Sequence, residues 1–456
     1  MRTQSNFRDY NTDQLLLLPP DMDEWLPEGH IIYFIRDLVG QLDLNKIYKG
    51  YNGSKGGQPP YHPEMMVALL VYAYCAGMPS SRKIEQASYE SVPFRVLTTG
   101  QHPDHDTIAA FRRRHLDALA ELFVQVLRLC RKAGLVNLGH VSLDGTKIRA
   151  NASKHKAMSY DQMEKSVAQL EAEVKELLAK AESTDQDEDA RWGKHKRGDE
   201  LPEDLRFKQS RLSRIKQAKE ALEREARKQA EDKKRNDSDD NQTIRHGRPP
   251  NEPCENPAPK AQCNFTDPDS RIMKDGATKS FEQCYNGQIA VDGSGHQIIV
   301  AAQITQHAND KQELQPLLEQ IEGNLNGAKP KKVSADNGYY SEDNIKYLAA
   351  GGMDGYIATG RIRHAEKTSQ APRGRIPIQA DTKERMARKL RTIRGRITYK
   401  KRKGIVEPVF GQIKHVRGFR QFLLRGFGRI CAEWNIICLG HNILKLFKSG
   451  WCPRMA

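Results

Sequence analysis

Val141-Ser142-Leu143-Asp144-Gly145-Thr146-Lys147 is where the chain changes its period. Val141 and Leu143 alternate with Ser142 and Asp144, the two-residue repeat of a half-buried strand. The reading is a short strand that ends on a carboxylate, with Gly145 turning the chain away. The arrangement returns at Lys332-Val333-Ser334-Ala335-Asp336, followed by Asn337-Gly338. Ligands of open α/β sheets collect beyond the carboxyl ends of the strands, so two strands that each deliver an aspartate there form a candidate site. Taken singly, Asp-Gly and Asp-Asn-Gly are equally ordinary turn chemistry.

Working outward from these strands, 285–291 and 297–304 also read as strands, and Asp292-Gly293-Ser294-Gly295 between them is a hairpin turn. A helix over about 311–323 precedes the Asp336 strand. After it, Ser341 can cap a helix with Glu342 and Asp343 in its first turn and Gly351 at its end. A strand at 355–359, a basic region and helices through Leu446 follow. The order is β, insertion, β-β, α, β, α, β, α. The expected fold class is therefore α/β: a ribonuclease-H-like mixed sheet flanked by helices, split between 136–157 and 264–448.

Met163, Val167, Leu170, Val174 and Leu177 recur at spacings of four and three, and Leu205, Leu212, Ile215, Leu222 and Ala226 keep a similar register. Residues 158–230 are expected to form an inserted antiparallel coiled-coil hairpin that reverses around 193–202, though pairing with a second copy would satisfy the same seams. The polar stretch 231–263 reads as a flexible linker, and 449–456 as a tail. Residues 1–135 read as an N-terminal all-α domain, with helices at 64–74, at 80–90 and after Asp106 as an N-cap. Short helices joined by tight turns, with Arg112, Arg113 and Arg114 on the third, suit a helix-turn-helix-like DNA-binding domain; a plain bundle has the same pattern.

Lys plus Arg outnumber Asp plus Glu by 73 to 58, a net charge of +15 that favours a polyanionic partner unless the protein is merely basic. The excess is concentrated: 383–420 carries 14 Lys or Arg and two acids, Glu384 and Glu407. The longest apolar stretch, 65–75, is too short for a membrane span, and no basic segment followed by an apolar one opens the chain, so a soluble intracellular protein is expected. Within the basic block Glu407 shares roughly one helix face with Lys403 and Lys414. It could be a salt-bridge partner, or a metal-binding carboxylate among cations that grip phosphates.

Several ordered motifs resemble those of the DDE transposases of bacterial insertion sequences, in the branch with a coiled-coil insertion. They include Leu15 to Pro20, His62-Pro63-Glu64, Pro103 to Ile108 with Phe111-Arg112, and Asp144-Gly145-Thr146-Lys147. They continue with Thr266 to Asp269, Tyr285-Asn286 and Gln288, Asp336-Asn337-Gly338-Tyr339, the Glu407 segment, and Trp434 to Asn442. The resemblance implies that Asp144, Asp336 and Glu407 converge as the catalytic, metal-binding carboxylates, with two Mg²⁺ or Mn²⁺ ions. Such ions activate the attacking oxygen and stabilise the leaving one, with no covalent enzyme intermediate. Tyr399, Arg402, Lys403 and Lys414, with Arg112 and Arg113, are the expected DNA contacts. The implied partners are double-stranded DNA, both transposon terminal inverted repeats and target, and a second copy of the chain, in the bacterial cytoplasm or on the nucleoid.

The third motif of that family usually reads Tyr, two residues, Arg, three residues, Glu, six residues, Lys. Here Glu407 to Lys414 fits, but Tyr399 and Arg402 lie one residue too far upstream. Either Lys403 fills the Arg position or the chain bulges before the helix. Asn337 stands where a basic residue is common. Two other functions remain open: a ribonuclease-H-like nuclease without strand transfer, and a non-catalytic DNA-binding regulator derived from a transposase.

Overall fold

The computed structural model describes residues 22–51, 59–153, 156–192, 203–239, 256–274, 280–360, 374–377 and 379–453. The chain divides into two compact units, 1–133 with 439–456, and 134–438.

The first unit is helical: α1 (Ile31–Val39), α2 (Asn45–Tyr48), α3 (Pro63–Cys75), α4 (Ser81–Glu90), α5 (Val92–Leu97), α6 (His105–Arg114) and α7 (Leu116–Lys132). α3 is apolar nearly all round and buried along its length, as a central core helix must be. Gly77, at φ +75°, reverses the chain after it. The cap of α6 is Asp104 and not Asp106. Asp104 has the extended backbone a cap requires, and its carboxylate accepts from Thr107 N at 2.6 Å, while Asp106 sits inside the first turn.

The second unit is built on a mixed sheet flanked by helices. Its elements begin with β1 (Val141–Arg149), β2 (Ala157–Ser159), α8 (Tyr160–Trp192), α9 (Glu203–Asp239), β3 (Gln262–Asn264) and β4 (Arg271–Lys274). They continue with β5 (Phe281–Asp292), β6 (Ile299–Thr305), α10 (Leu314–Asn324), β7 (Lys332–Ala335), α11 (Glu342–Ala350), β8 (Asp354–Ile357), α12 (Thr382–Arg391), α13 (Ile393–Gly411) and α14 (Phe427–Lys448), of which the residues from Leu439 on are counted with the first unit. The strand order is β4-β5-β1-β7-β8, with β6 also on β5. β1 is antiparallel to β5 and parallel to β7, and β7 is parallel to β8. At Gly287 the β5 backbone passes against the indole of Trp434 on α14; a Cβ there would lie 3.1 Å from the ring, so a side chain would press the indole outward.

One strand differs from expectation. β1 does not end at Asp144 but runs to Arg149, because β5 pairs with it from Val141↔Asp292 to Arg149↔Cys284. Continuous pairing on that side outweighs the turn tendency of Asp-Gly.

α8 and α9 pack on one another through Met163, Leu170, Ile215, Ala218 and Leu222, with Val167 and Leu212 beside them. Glu164–Lys219, Glu171–Lys216 and Glu173–Lys208 ion pairs flank that seam, and their numbering runs in opposite senses, so the helices are antiparallel. The expected reversal at 193–202 lies outside the described residues, as does 240–255 of the expected linker. Residues 231–239 are helical, since Glu, Lys and Arg carry α9 onward, and Gln262 and Cys263 belong to β3, which pairs with β2. Among the described residues no helix is long and apolar enough to cross a membrane.

Candidate active site

β1 and β7 pair over only Val141↔Val333 and Ser142↔Ser334. The two serine hydroxyls meet at 2.8 Å, and His140 Nε2 lies 2.9 Å from the Ser334 hydroxyl, a buried polar rung beneath the point where the strands part. Asp144 and Asp336 each follow two residues later, so the strand period carries both toward the face of that rung. Asp336 ends β7 as expected. Its carboxylate accepts from Gly338 N at 2.8 Å and caps the turn Asn337–Tyr339. Asp144, mid-strand on its β5 side, is past the end of pairing on its β7 side. That is how a residue inside a strand still opens onto a site.

α13 lays Arg402 against this pair. Its Nη1 is 3.1 Å from Asp144 Oδ2, with the two side chains only 11% and 19% exposed. Burial nevertheless pushes Asp144 up to about 6, against the pull of Arg402 and with the help of the Asp336 charge. Burial also raises Asp336. Tyr399, half-buried beside Arg402, is raised by burial as well, which leaves its phenol a poor nucleophile.

The other expected residues take different positions. Glu407 is exposed on α13, makes no hydrogen bond or ion pair among the described residues, and is not among the charges acting most on Asp144 or Asp336. Lys403 is exposed, and Lys414 donates from Nζ to Lys147 O at 2.6 Å. α13 is unbroken ahead of Glu407, so there is no bulge there, and Arg402 rather than Lys403 meets the aspartate. In the first unit Arg112 is buried and donates to Pro79 O at 2.5 Å, so its guanidinium is committed inside the fold; Arg113 is exposed.

Sequence reasoning missed Asp310, between β6 and α10, whose charge raises both Asp144 and Asp336. Asn309-Asp310-Lys311 carries no local signal that separates it from a polar loop. Asn286 and Gln288, which hold Asp310, were marked only as part of a motif.

Half-buried carboxylates answered by a guanidinium, beside a basic helix at the ends of parallel strands, are the kind of site that suits a phosphate-bearing class of substrate. Two family matches make that class specific. A transposase domain (DUF772) matches residues 20–114, and a transposase DDE domain matches residues 240–443. The chain belongs to the DDE transposases of insertion sequences. The Asp144 strand falls between the two matched stretches. No curated protein and no solved structure matches the chain.

DDE transposases generally use divalent metal ions and act on DNA. Among the described residues no three His, Cys, Asp or Glu side chains stand as a ready metal cage. The donor set fits such ions all the same: Asp144 and Asp336 offer hard oxygens, and the Arg402 guanidinium already holds the position of a cation at Asp144 Oδ2.

Proposed function

We propose that this transposase cleaves the ends of its element and joins the freed 3′-hydroxyl to target DNA, with Asp144, Asp336 and Glu407 as its catalytic carboxylates. The observation that carries the reading is the convergence of Asp144 and Asp336 where β1 and β7 part, faced by a cation from the basic helix. The sheet supports a ribonuclease-H-like core. Its order β6-β5-β1-β7-β8 has three antiparallel strands followed by two parallel additions to β1. The antiparallel seam of α8 and α9 supports a coiled-coil hairpin inserted after the first strand, and the short helices of the first unit support a helix-turn-helix-like DNA-binding domain.

Asp144, Asp336 and Glu407 would hold two Mg²⁺ or Mn²⁺ ions, which supply activation of the attacking oxygen and charge compensation at the leaving one. Arg402, Lys403 and Lys414 would take phosphate charge along α13. Tyr399 would steady the Arg402 guanidinium, 5.9 Å from its ring. Arg113, exposed on α6, would contact DNA backbone, and two copies would act together on paired terminal repeats. Such a complex would assemble in the bacterial cytoplasm or on the nucleoid.

Nicking of terminal-repeat DNA and joining of pre-cleaved ends test the proposal. Asp144→Asn, Asp336→Asn and Glu407→Gln should each lower both by roughly two or more orders of magnitude, since several kcal/mol of charge stabilisation is at stake. Nicking without joining in the wild type would favour the nuclease alternative. No metal-dependent nicking at all would leave a DNA-binding regulator.

A further inference from the structure

Asp310 plays no part in the reading above, yet it stands against both motif aspartates. Its Oδ1 accepts from Asn286 Nδ2 at 2.7 Å and from Gln288 Nε2 at 2.6 Å. Gln288 is held in turn by the Tyr339 hydroxyl, which donates to its Oε1. Two neutral donors fix this carboxylate without neutralising it. Asp310 makes no ion pair within 4 Å among the described residues; the Lys147 ammonium, on which its charge acts from beyond that distance, gives its Nζ to Ala308 O at 2.9 Å. The carboxamide of Asn286 also leaves its Oδ1 buried without a hydrogen-bond partner.

Two glycines locate the remaining oxygen. A Cβ on Gly338 would lie 2.9 Å from Asp310 Oδ2 and 2.9 Å from Asp336 Oδ1; a Cβ on Gly145 would lie 2.9 Å from Asp310 Oδ1. Neither glycine has a positive φ, so backbone freedom does not require them. Space does. The residue after Asp144 and the second residue after Asp336 both lack side chains where Asp310 enters. Because neighbours along a strand point to opposite faces, Asp310, packed on Gly145, approaches Asp336 from the face opposite Asp144. Asp310 Oδ2 and Asp336 Oδ1 thus both border the space beside Gly338, where Asp336 Oδ1 also accepts from Gly338 N. Like charges so placed are relieved by a proton on one of them or by a cation between them.

We propose that Asp310 is a fourth carboxylate of the metal-binding set and shares one divalent cation with Asp336. Asp144 and Asp310 then stand on either side of Asp336, one for each ion. The inference rests on the reading that Asp144 and Asp336 bind metal.

Mn²⁺ binding to the full chain without DNA, followed by electron paramagnetic resonance of free Mn²⁺ and by calorimetry, tests it. Asp310→Asn keeps an acceptor for Asn286 and Gln288 but removes the charge. It should lose one of two ions, or weaken that ion at least about tenfold, as deletion of a metal-site partner commonly does. Gly338→Ala removes no charge but crowds both Asp310 Oδ2 and Asp336 Oδ1, and should weaken the same ion; Asp310→Ser, smaller and likewise uncharged, decides the matter if Asp310→Asn fails to fold. Asp336→Asn, run alongside, should weaken both ions. Wild-type binding in the folded Asp310 and Gly338 variants, with loss in Asp336→Asn, overturns the role of Asp310 alone. Wild-type binding in all three overturns the metal-site reading as well.

Discussion

Replacing Arg402 by glutamine should make the protein bind Mn²⁺ more tightly, although the residue lies in the site. In the metal-free chain Arg402 Nη1 engages the Asp144 oxygen that a cation would take, at 3.1 Å and with little solvent. An adjacent arginine lowers a carboxylate pKa by about one to three units, so a metal ion must overcome an interaction of that size. Without Arg402 the competitor changes from a guanidinium to a proton. Asp144, pushed up to about 6 in the wild type, would rise further by those same one to three units.

The two competitors have different pH dependences, which fixes the magnitude. Above pH about 6 the wild-type carboxylate is already ionised, and its affinity for Mn²⁺ should be flat as far as this group is concerned. In Arg402→Gln the ion displaces a proton, and affinity should climb about tenfold per pH unit until the new pKa is passed. The two proteins should therefore bind alike near pH 6, and the variant about tenfold more tightly near pH 7. Calorimetry with Mn²⁺ from pH 6 to 8.5, in two buffers of different ionisation enthalpy, reads both the affinity and the proton released. A flat profile for the variant, or weaker binding than wild type at pH 8, would refute the competition.

Asp144→Asn should stabilise the metal-free protein at neutral pH. Raising the folded pKa from 3.8 to about 6 makes this group favour the native state below pH about 4 and lose that contribution as pH rises through about 6, a difference of at most about 3 kcal/mol. Thermal melts at pH 5 and 7.5 should differ less in the variant than in the wild type; an unchanged difference would mean the carboxylate is not the source. The paired helices should be removable. Asp161 N donates to Pro259 O at 3.2 Å, so replacing 162–258 by a short Gly/Ser bridge spans adjacent points. The shortened chain should keep its fold and its Mn²⁺ binding while paired-end joining falls more than nicking, and loss of Mn²⁺ binding would show that the helices support the site itself.

What was legible in the sequence is what local chemistry determines. Alternation at Val141 to Asp144, the turns at Asp292 to Gly295 and Asn337-Gly338, and the cap at Ser341 all depend on residues near in sequence, and each appears in the structure. The end of β1 was misplaced because it depends on β5, more than a hundred residues away, whose pairing overrides Asp-Gly turn chemistry. Asp310 was missed for a related reason: nothing in its own loop marks it, and its significance arises from two amides on β5 and two glycines in separate motifs. Arg112 carries the charge of a DNA contact, but the packing of its helix turns it toward Pro79.

The spacing within α13 accounts for the different positions of Arg402 and Glu407. Four residues along an α-helix return to nearly the same face, about 40° away, whereas five leave the two side chains about 140° apart. The usual spacing of the family is the first, and Arg402 to Glu407 is the second. In an unbroken helix the face that offers Arg402 to Asp144 therefore turns Glu407 to its exposed flank. The helix is also relaxed on either side of Glu407. Pro408 cannot donate to Gly404 O, and that carbonyl instead accepts from Gln297 Nε2 at 2.8 Å. A π turn follows at Gln412–Val416 and carries Lys414, whose Nζ reaches Lys147 O. Rotation of the segment between these points would break fewer backbone hydrogen bonds than in a regular helix. Such a rotation would carry Glu407 toward the face of Arg402, which precedes Gly404 and would itself stay against Asp144.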